Sequence, residues 1–123
     1  MATAAKIMVV DDEKQICENV EKILSKNNYE VIHATSAKDA LTKMAKDSFS
    51  LVISDIVMPQ MNGQELVERL IPLQPEMKVL FISGYSENVF TDRNTLDPGM
   101  SYVQKPFTPM ELLGRVRHVL DSE

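Results

Sequence analysis

The chain has 123 residues, of which 44% are hydrophobic and 25% are charged, and its formal net charge is −5. This length and composition predict one globular domain, and the acidic balance argues against direct nucleic-acid binding or contact with an anionic membrane surface. Because the only cysteine, Cys17, cannot form an internal disulfide and no apolar run approaches the roughly 20 residues of a membrane span, we expect a cytoplasmic chain without membrane insertion.

The first half of the chain alternates strand-like and helix-like segments. A first strand, Lys6–Val10, precedes a helix from about Lys14 to Asn27 with an apolar face at helical spacing. A second strand covers about Tyr29–Ala34. A second helix begins at Ser36, whose hydroxyl can cap the first turn, and Asp39 supplies a carboxylate three residues on.

The second half continues the alternation. The predicted third strand is Leu51–Ser54, and a third helix runs from about Gly63 to Ile71. The fourth strand is Val79–Ser83, and a short fifth strand lies near Tyr102–Val103. The last helix begins at Thr108–Glu111, where a capping residue, a proline at the first helical position and a capping-box glutamate follow one another.

The weakest element lies between the fourth and fifth strands. Asn, Asp and Thr residues of Ser86–Gly99 have poor helix propensity, and Pro98 and Gly99 prevent a helix from continuing. We therefore predict a short or mobile fourth helix there.

Strands separated by helices predict an α/β fold, a doubly wound parallel sheet with five helices on its two faces. The strands are continuous aliphatic runs, as expected when both faces of a sheet are buried. We expect residues 1–123 to form a single domain without an output domain, since the last helix ends at about Leu120.

Reactive side chains follow the predicted strands at their carboxyl ends. Asp11 and Asp12 follow the first strand, Asp55 follows the third, Ser83 closes the fourth and Lys105 comes just after the fifth. Because open parallel sheets bind ligands at this edge, we expect all five side chains to gather there.

Three carboxylates at one edge predict a cation and a phosphoryl group. Two unit charges about 4 Å apart repel by roughly 4 kcal/mol at an effective dielectric of 20, so either one carboxylate is protonated or a cation binds. Oxygen ligands alone favour Mg²⁺ first and Mn²⁺ second. Asp55 is the best candidate for a carboxylate that attacks phosphorus, while Lys105 neutralises phosphoryl oxygens and the Ser83 hydroxyl donates to them.

With this set of residues the chain resembles the receiver domain of two-component response regulators along essentially its whole length. The resemblance implies a flavodoxin-like sheet with the strand order 2-1-3-4-5. It is carried by Val9–Glu13, Ser54–Pro59, Met61–Gly63, Ile82–Tyr85 and Lys105–Phe107.

The resemblance implies a role for each site residue. Asp55 would accept a phosphoryl group from a phosphohistidine on a sensor histidine kinase or a histidine phosphotransfer protein. Asp12 and Asp55 would hold Mg²⁺ together with the backbone carbonyl of Val57, and Asp11 would act mainly through bound water.

Lys105 and Ser83 would contact the phosphoryl group, and Tyr102 matches the aromatic residue that turns inward when the group is attached. The new charge would then switch a surface formed by the fourth helix, the fifth strand and the last helix. We expect this surface to bind a downstream protein and to be able to support a homodimer.

Several alternatives stay open from the sequence. A Mg²⁺-dependent phosphatase of the haloacid dehalogenase type also forms an aspartyl phosphate, but it requires Asp-x-Asp after the first strand, where this chain has Glu13 at the third position. A flavodoxin-like binding module would require a hydroxyl-rich phosphate loop there, and a receiver that is never phosphorylated would not need the complete acid set.

The receiver reading describes a module that catalyses its own phosphorylation and dephosphorylation rather than a turnover enzyme. The chain is compatible with a stand-alone relay, a longer regulator or a piece of a hybrid histidine kinase, because Ser83–Tyr85 and Gln104–Pro109 resemble receivers appended to such kinases.

Overall fold

The computed structural model of the chain describes residues 5–56, 63–83, 101–104 and 107–121. These residues contain a five-stranded parallel sheet with the order β2-β1-β3-β4-β5. The predicted flavodoxin-like α/β class and strand order are therefore confirmed. The strands are β1 (Lys6–Val10), β2 (Glu30–Ala34), β3 (Leu51–Asp55), β4 (Lys78–Ser83) and β5 (Ser101–Gln104).

Four α-helices accompany the sheet in the described part of the chain. None of them is both long enough and apolar enough to cross a membrane. The predicted fourth helix, 86–99, lies outside the described residues. The helices are α1 (Lys14–Ser25), α2 (Ala37–Met44), α3 (Gly63–Leu70), which continues into a 3₁₀ turn (Ile71–Leu73), and the C-terminal helix (Pro109–Asp121).

The sheet separates two hydrophobic cores, because successive side chains of a strand point to opposite faces. Ile7 and Val9 of β1 pack with α1 and the C-terminal helix. Met8 and Val10 pack with α2 and α3 on the other face. Every one of these four residues is fully buried, which explains why the strand is a continuous aliphatic run.

Side-chain caps fix where two of the helices begin. The Ser36 hydroxyl accepts the Asp39 N–H at 3.1 Å, as predicted. At the C-terminal helix, the Glu111 carboxylate accepts the Thr108 N–H at 2.9 Å and the Thr108 hydroxyl accepts the Glu111 N–H at 3.1 Å. The predicted capping box is thus formed in both directions.

Two helices end slightly earlier than predicted. The end of α1 is Ser25 rather than Asn27, because Asn28 adopts a φ of 71° and the Tyr29 N–H turns back to the Leu24 carbonyl at 3.2 Å. Asparagine tolerates this left-handed conformation better than most residues, so it can terminate a helix. At the end of α3 the chain tightens into the 3₁₀ turn that contains Pro72.

Candidate phosphoacceptor site

Three aspartates meet at the carboxyl edge of the sheet. Asp11, Asp12 and Asp55 each offer a carboxylate oxygen, and these atoms all lie within 4.8 Å of one another. Asp11 and Asp55 are buried, with 0% and 4% of their surfaces exposed, while Asp12 is exposed. The predicted acid cluster is thus present, with two of its aspartates buried and one exposed to solvent.

The neighbouring strands account for this convergence. In the register of β1 with β3, Val10 lies beside Ser54, so the residues that follow each of them emerge side by side. On the other side of β3, Asp55 pairs with Ile82 of β4. The aliphatic runs therefore hold the acids together by packing behind them.

Asp11 is tied to the start of α1. Its Oδ1 accepts the Glu13 N–H at 2.9 Å, and its own N–H donates to the carbonyl of Ala34 at the end of β2, at 3.2 Å. Since α1 begins at Lys14, its positive N-terminal end lies next to the acid cluster and favours negative charge there.

Cys17 lies beneath this loop and is fully buried. Its thiol is 3.5 Å from the Asp11 carbonyl and 3.7 Å from the Ala34 carbonyl, so it can donate to either oxygen. Burial, followed by the nearby Asp11 charge, raises the pKa of Cys17 to about 11. The thiol is therefore protonated at neutral pH.

The donor set suits a hard divalent cation. Among the described residues the cluster consists of carboxylate oxygens, and Mg²⁺ and Mn²⁺ prefer such ligands. Two oxygens bound directly to one Mg²⁺ are at most roughly 4.2 Å apart. A cluster that spans up to 4.8 Å therefore suits an ion that keeps part of its water shell.

The remaining predicted site residues are described only in part. Ser83 ends β4 at the same edge and pairs with Gln104 of β5, although its side chain is not among the described groups. Lys105 and Val57 lie outside the described residues. Tyr102 on β5 is 38% exposed, and the guanidinium carbon of Arg115 lies 6.0 Å from the centroid of its ring.

Sequence reasoning missed one polar residue of the site. Ser54 is fully buried, and its hydroxyl donates to the backbone carbonyl of Asp55 at 3.1 Å. The available signal was a serine inside an otherwise aliphatic strand, since a buried hydroxyl requires a hydrogen-bond partner.

Comparison with known proteins agrees with this geometry. Residues 7–117 match the family model of the response regulator receiver domain. Over 100% of its length the chain is 30% identical to the sensor kinase CckA of Brucella abortus, of which it spans 13%. Over 94% of its length it is 28% identical to the response regulator receiver protein CpdR of the same organism, of which it spans 96%.

Solved structures show the same relationship. The chemotaxis response regulator CheY4 of Vibrio cholerae has a TM-score of 0.84 and 30% identity, with 95% of this chain and 99% of that one covered. A CheY-like receiver domain protein from Methanospirillum hungatei has a TM-score of 0.81 and 34% identity, with 96% and 94% covered.

None of these comparisons supports the alternative of a haloacid dehalogenase phosphatase, because the matching family model is that of the receiver domain and the relatives and structures include receiver proteins. The sheet order, the acid cluster at its carboxyl edge and the match over residues 7–117 lead to one assignment. The chain belongs to the response regulator receiver domain family, the phosphoacceptor signalling modules of two-component systems.

Proposed function

We propose that Asp55 accepts a phosphoryl group from the phosphohistidine of a sensor histidine kinase or a histidine phosphotransfer protein. The observation that carries this proposal is the meeting of three carboxylates within 4.8 Å at the end of β3. Asp55 lies in the middle strand of five, and 4% of its surface is exposed. Asp55 is therefore held among fixed neighbours at the carboxyl edge of the sheet.

In the transfer step a carboxylate oxygen of Asp55 forms a bond to phosphorus as the phosphorus–nitrogen bond of the donor breaks. The electron pair of that bond stays on the imidazole nitrogen, which leaves as neutral histidine when the ring carries a proton on its other nitrogen. The product is an acyl phosphate, which water can later hydrolyse. In this proposal the chain catalyses its own phosphorylation and dephosphorylation rather than the turnover of a separate substrate.

The acid cluster would hold Mg²⁺, or Mn²⁺ as the second choice. Asp12 and Asp55 would bind the ion directly together with the Val57 carbonyl, and Asp11 would reach it through water. The bound ion supplies positive charge to the oxygens of the transferred group, as in other phosphoryl-transfer sites. The N-terminus of α1 supports this arrangement, because its positive end favours the negatively charged form of the carboxylates, including Asp11, that would hold the ion.

Lys105 and Ser83 would contact the phosphoryl oxygens from the ends of β5 and β4. Attachment of the group would then change the surface around β5, where the partly exposed Tyr102 lies. We propose that Tyr102 turns inward in this change. The altered surface, formed by β5, the C-terminal helix and the predicted fourth helix, would bind a downstream protein or a second copy of the chain.

This function places residues 1–123 as one receiver unit of a phosphorelay in the cytoplasm, without direct contact to nucleic acid. The relatives include a sensor kinase of which the chain spans 13% and a receiver protein of which it spans 96%. Both arrangements, a receiver within a kinase and a separate receiver, are compatible with the same chemistry at Asp55.

Incubation with phosphoramidate and Mg²⁺, followed by intact mass spectrometry, tests the proposal. We expect a single phosphoryl adduct on the wild-type chain that disappears with a chelator and in Asp55→Asn. Asp47→Asn is the matched control, because it removes the same charge from an exposed residue that pairs with Lys6. An adduct that persists in Asp55→Asn, or forms equally with chelator, would refute the proposal.

A further inference from the structure

Ser54 is a buried hydroxyl group that the proposed chemistry does not use. It lies in β3 directly before Asp55, none of its surface is exposed, and its Oγ donates to the Asp55 carbonyl at 3.1 Å. Its strand neighbours Val10 and Phe81 are buried apolar residues. A hydroxyl in such surroundings is unfavourable unless it is hydrogen-bonded, and here its partner is the backbone of the candidate nucleophile.

This hydrogen bond lies where the pairing of β3 with one of its two neighbouring strands ends. The register of β3 with β1 ends at the pair of Ser54 and Val10, one residue before Asp55. The register with β4 continues through Asp55 and Ile82, and the Ile56 N–H donates to the Ile82 carbonyl at 3.1 Å. Asp55 therefore lies where the pairing of β3 with β1 has ended, and the Ser54 hydroxyl holds its peptide group at that point.

We propose that Ser54 is a positioning residue, whose hydroxyl fixes the peptide group of Asp55 and through it the place of the Asp55 carboxylate in the acid cluster. The inference rests on the proposed function in taking Asp55 as a metal ligand and phosphoacceptor. Its physical basis is that groups behind a metal ligand set the ligand's orientation, and small displacements of a reacting group lower the reaction rate strongly.

Three substitutions separate positioning from a general contribution to stability. Ser54→Ala removes only the hydroxyl, and Ser54→Thr keeps it. Val52→Ala is the matched control, because Val52 lies two residues earlier on the same face of β3 and is fully buried in the adjoining core. Val52→Ala removes two methyl groups from that core and should destabilise the protein more than Ser54→Ala does.

The first measurement uses the metal-free protein. The rate of amide hydrogen exchange at Ile56, divided by the rate at Ile53 in β3, reports the local freedom of the chain after Asp55. Because Ile56 lies just after β3 and Ile53 lies inside it, we expect this ratio to rise severalfold in Ser54→Ala and to stay at the wild-type value in Ser54→Thr and Val52→Ala. An unchanged ratio in Ser54→Ala would overturn the inference.

The second measurement is the Mg²⁺ dissociation constant. Ser54→Ala should weaken Mg²⁺ binding about tenfold, the lower end of the range for residues behind a metal ligand, and Ser54→Thr should restore it. Equal weakening in Val52→Ala would show a general effect of stability and would refute positioning. A wild-type chain that takes up no Mg²⁺ refutes the proposed function, whereas wild-type affinity in Ser54→Ala refutes only the role of Ser54.

Discussion

Removing one charge from the acid cluster should stabilise the metal-free protein, and Asp12→Asn is the change that shows this best. The three carboxylate oxygens lie within 4.8 Å of one another. At that distance two unit charges repel by about 3.5 kcal/mol at an effective dielectric of 20 and by about 0.9 kcal/mol in bulk water. Because Asp12 is exposed and faces two other carboxylates, we expect a gain of about 1–3 kcal/mol in the free energy of unfolding.

Urea unfolding without metal and then with Mg²⁺ measures both sides of this effect. A ligand at 100 times its dissociation constant stabilises the folded state by about 2.7 kcal/mol. The wild type should gain this amount, and Asp12→Asn should gain much less. Glu18→Gln on the exposed side of α1 makes the same change in net charge and serves as control. The reasoning fails if Asp12→Asn is no more stable than Glu18→Gln without metal, or if it keeps the full response to Mg²⁺.

Two further predictions concern residues outside the acid cluster. Gly114 lies inside the C-terminal helix, and an added Cβ would meet no heavy atom of the described structure within 4 Å. Gly114→Ala should therefore raise the free energy of unfolding by about 0.5–1 kcal/mol in a urea titration, and a lower free energy of unfolding would contradict this. The pKa of Cys17 is raised from 9.0 to about 11, so the contribution of the protonated thiol to folding stability is fully present below pH 9 and is lost as pH rises toward 11. The free energy of unfolding of the wild type relative to Cys17→Ala should fall by about 3 kcal/mol over that interval, and a pH-independent difference would show that burial does not hold this proton.

The central part of the fold could be predicted because its signals are local in the sequence. Aliphatic runs such as Leu51–Ser54 identify buried strands, and a carboxylate directly after such a run must lie at the strand end. The caps at Ser36 and Thr108 are equally local, since each hydroxyl bonds an N–H three residues away. The acid cluster followed from these strand ends, because parallel strands bring their carboxyl ends to one edge.

Other features depend on contacts that no pattern in the sequence shows. Gln74 accepts the Phe49 N–H at 2.6 Å and donates to the carbonyls of Met44 and Asp47 at 3.0 and 2.6 Å, so it joins the turn after α3 to the loop before β3. Its partners are 25 to 30 residues away in the sequence. A single glutamine in a turn gives no indication of such a role.

The end of α1 and the hydrogen bond of Ser54 were missed for different reasons. The helix propensity of Asn27 is only moderately poor, and it was the backbone of the next residue, Asn28, that ended the helix. Ser54 stands out as a hydroxyl in an otherwise aliphatic strand, but only the structure shows that this hydroxyl donates to the carbonyl of Asp55.

The most direct test of the account is the chemical identification of the modified residue. After treatment with phosphoramidate and Mg²⁺, borohydride reduction converts an aspartyl phosphate to homoserine, which peptide mapping can locate. The account predicts homoserine at position 55, and its absence when Mg²⁺ is chelated. Homoserine at position 11 or 12, or a phosphoryl adduct that borohydride does not reduce, would contradict the assignment of Asp55 as the phosphoacceptor.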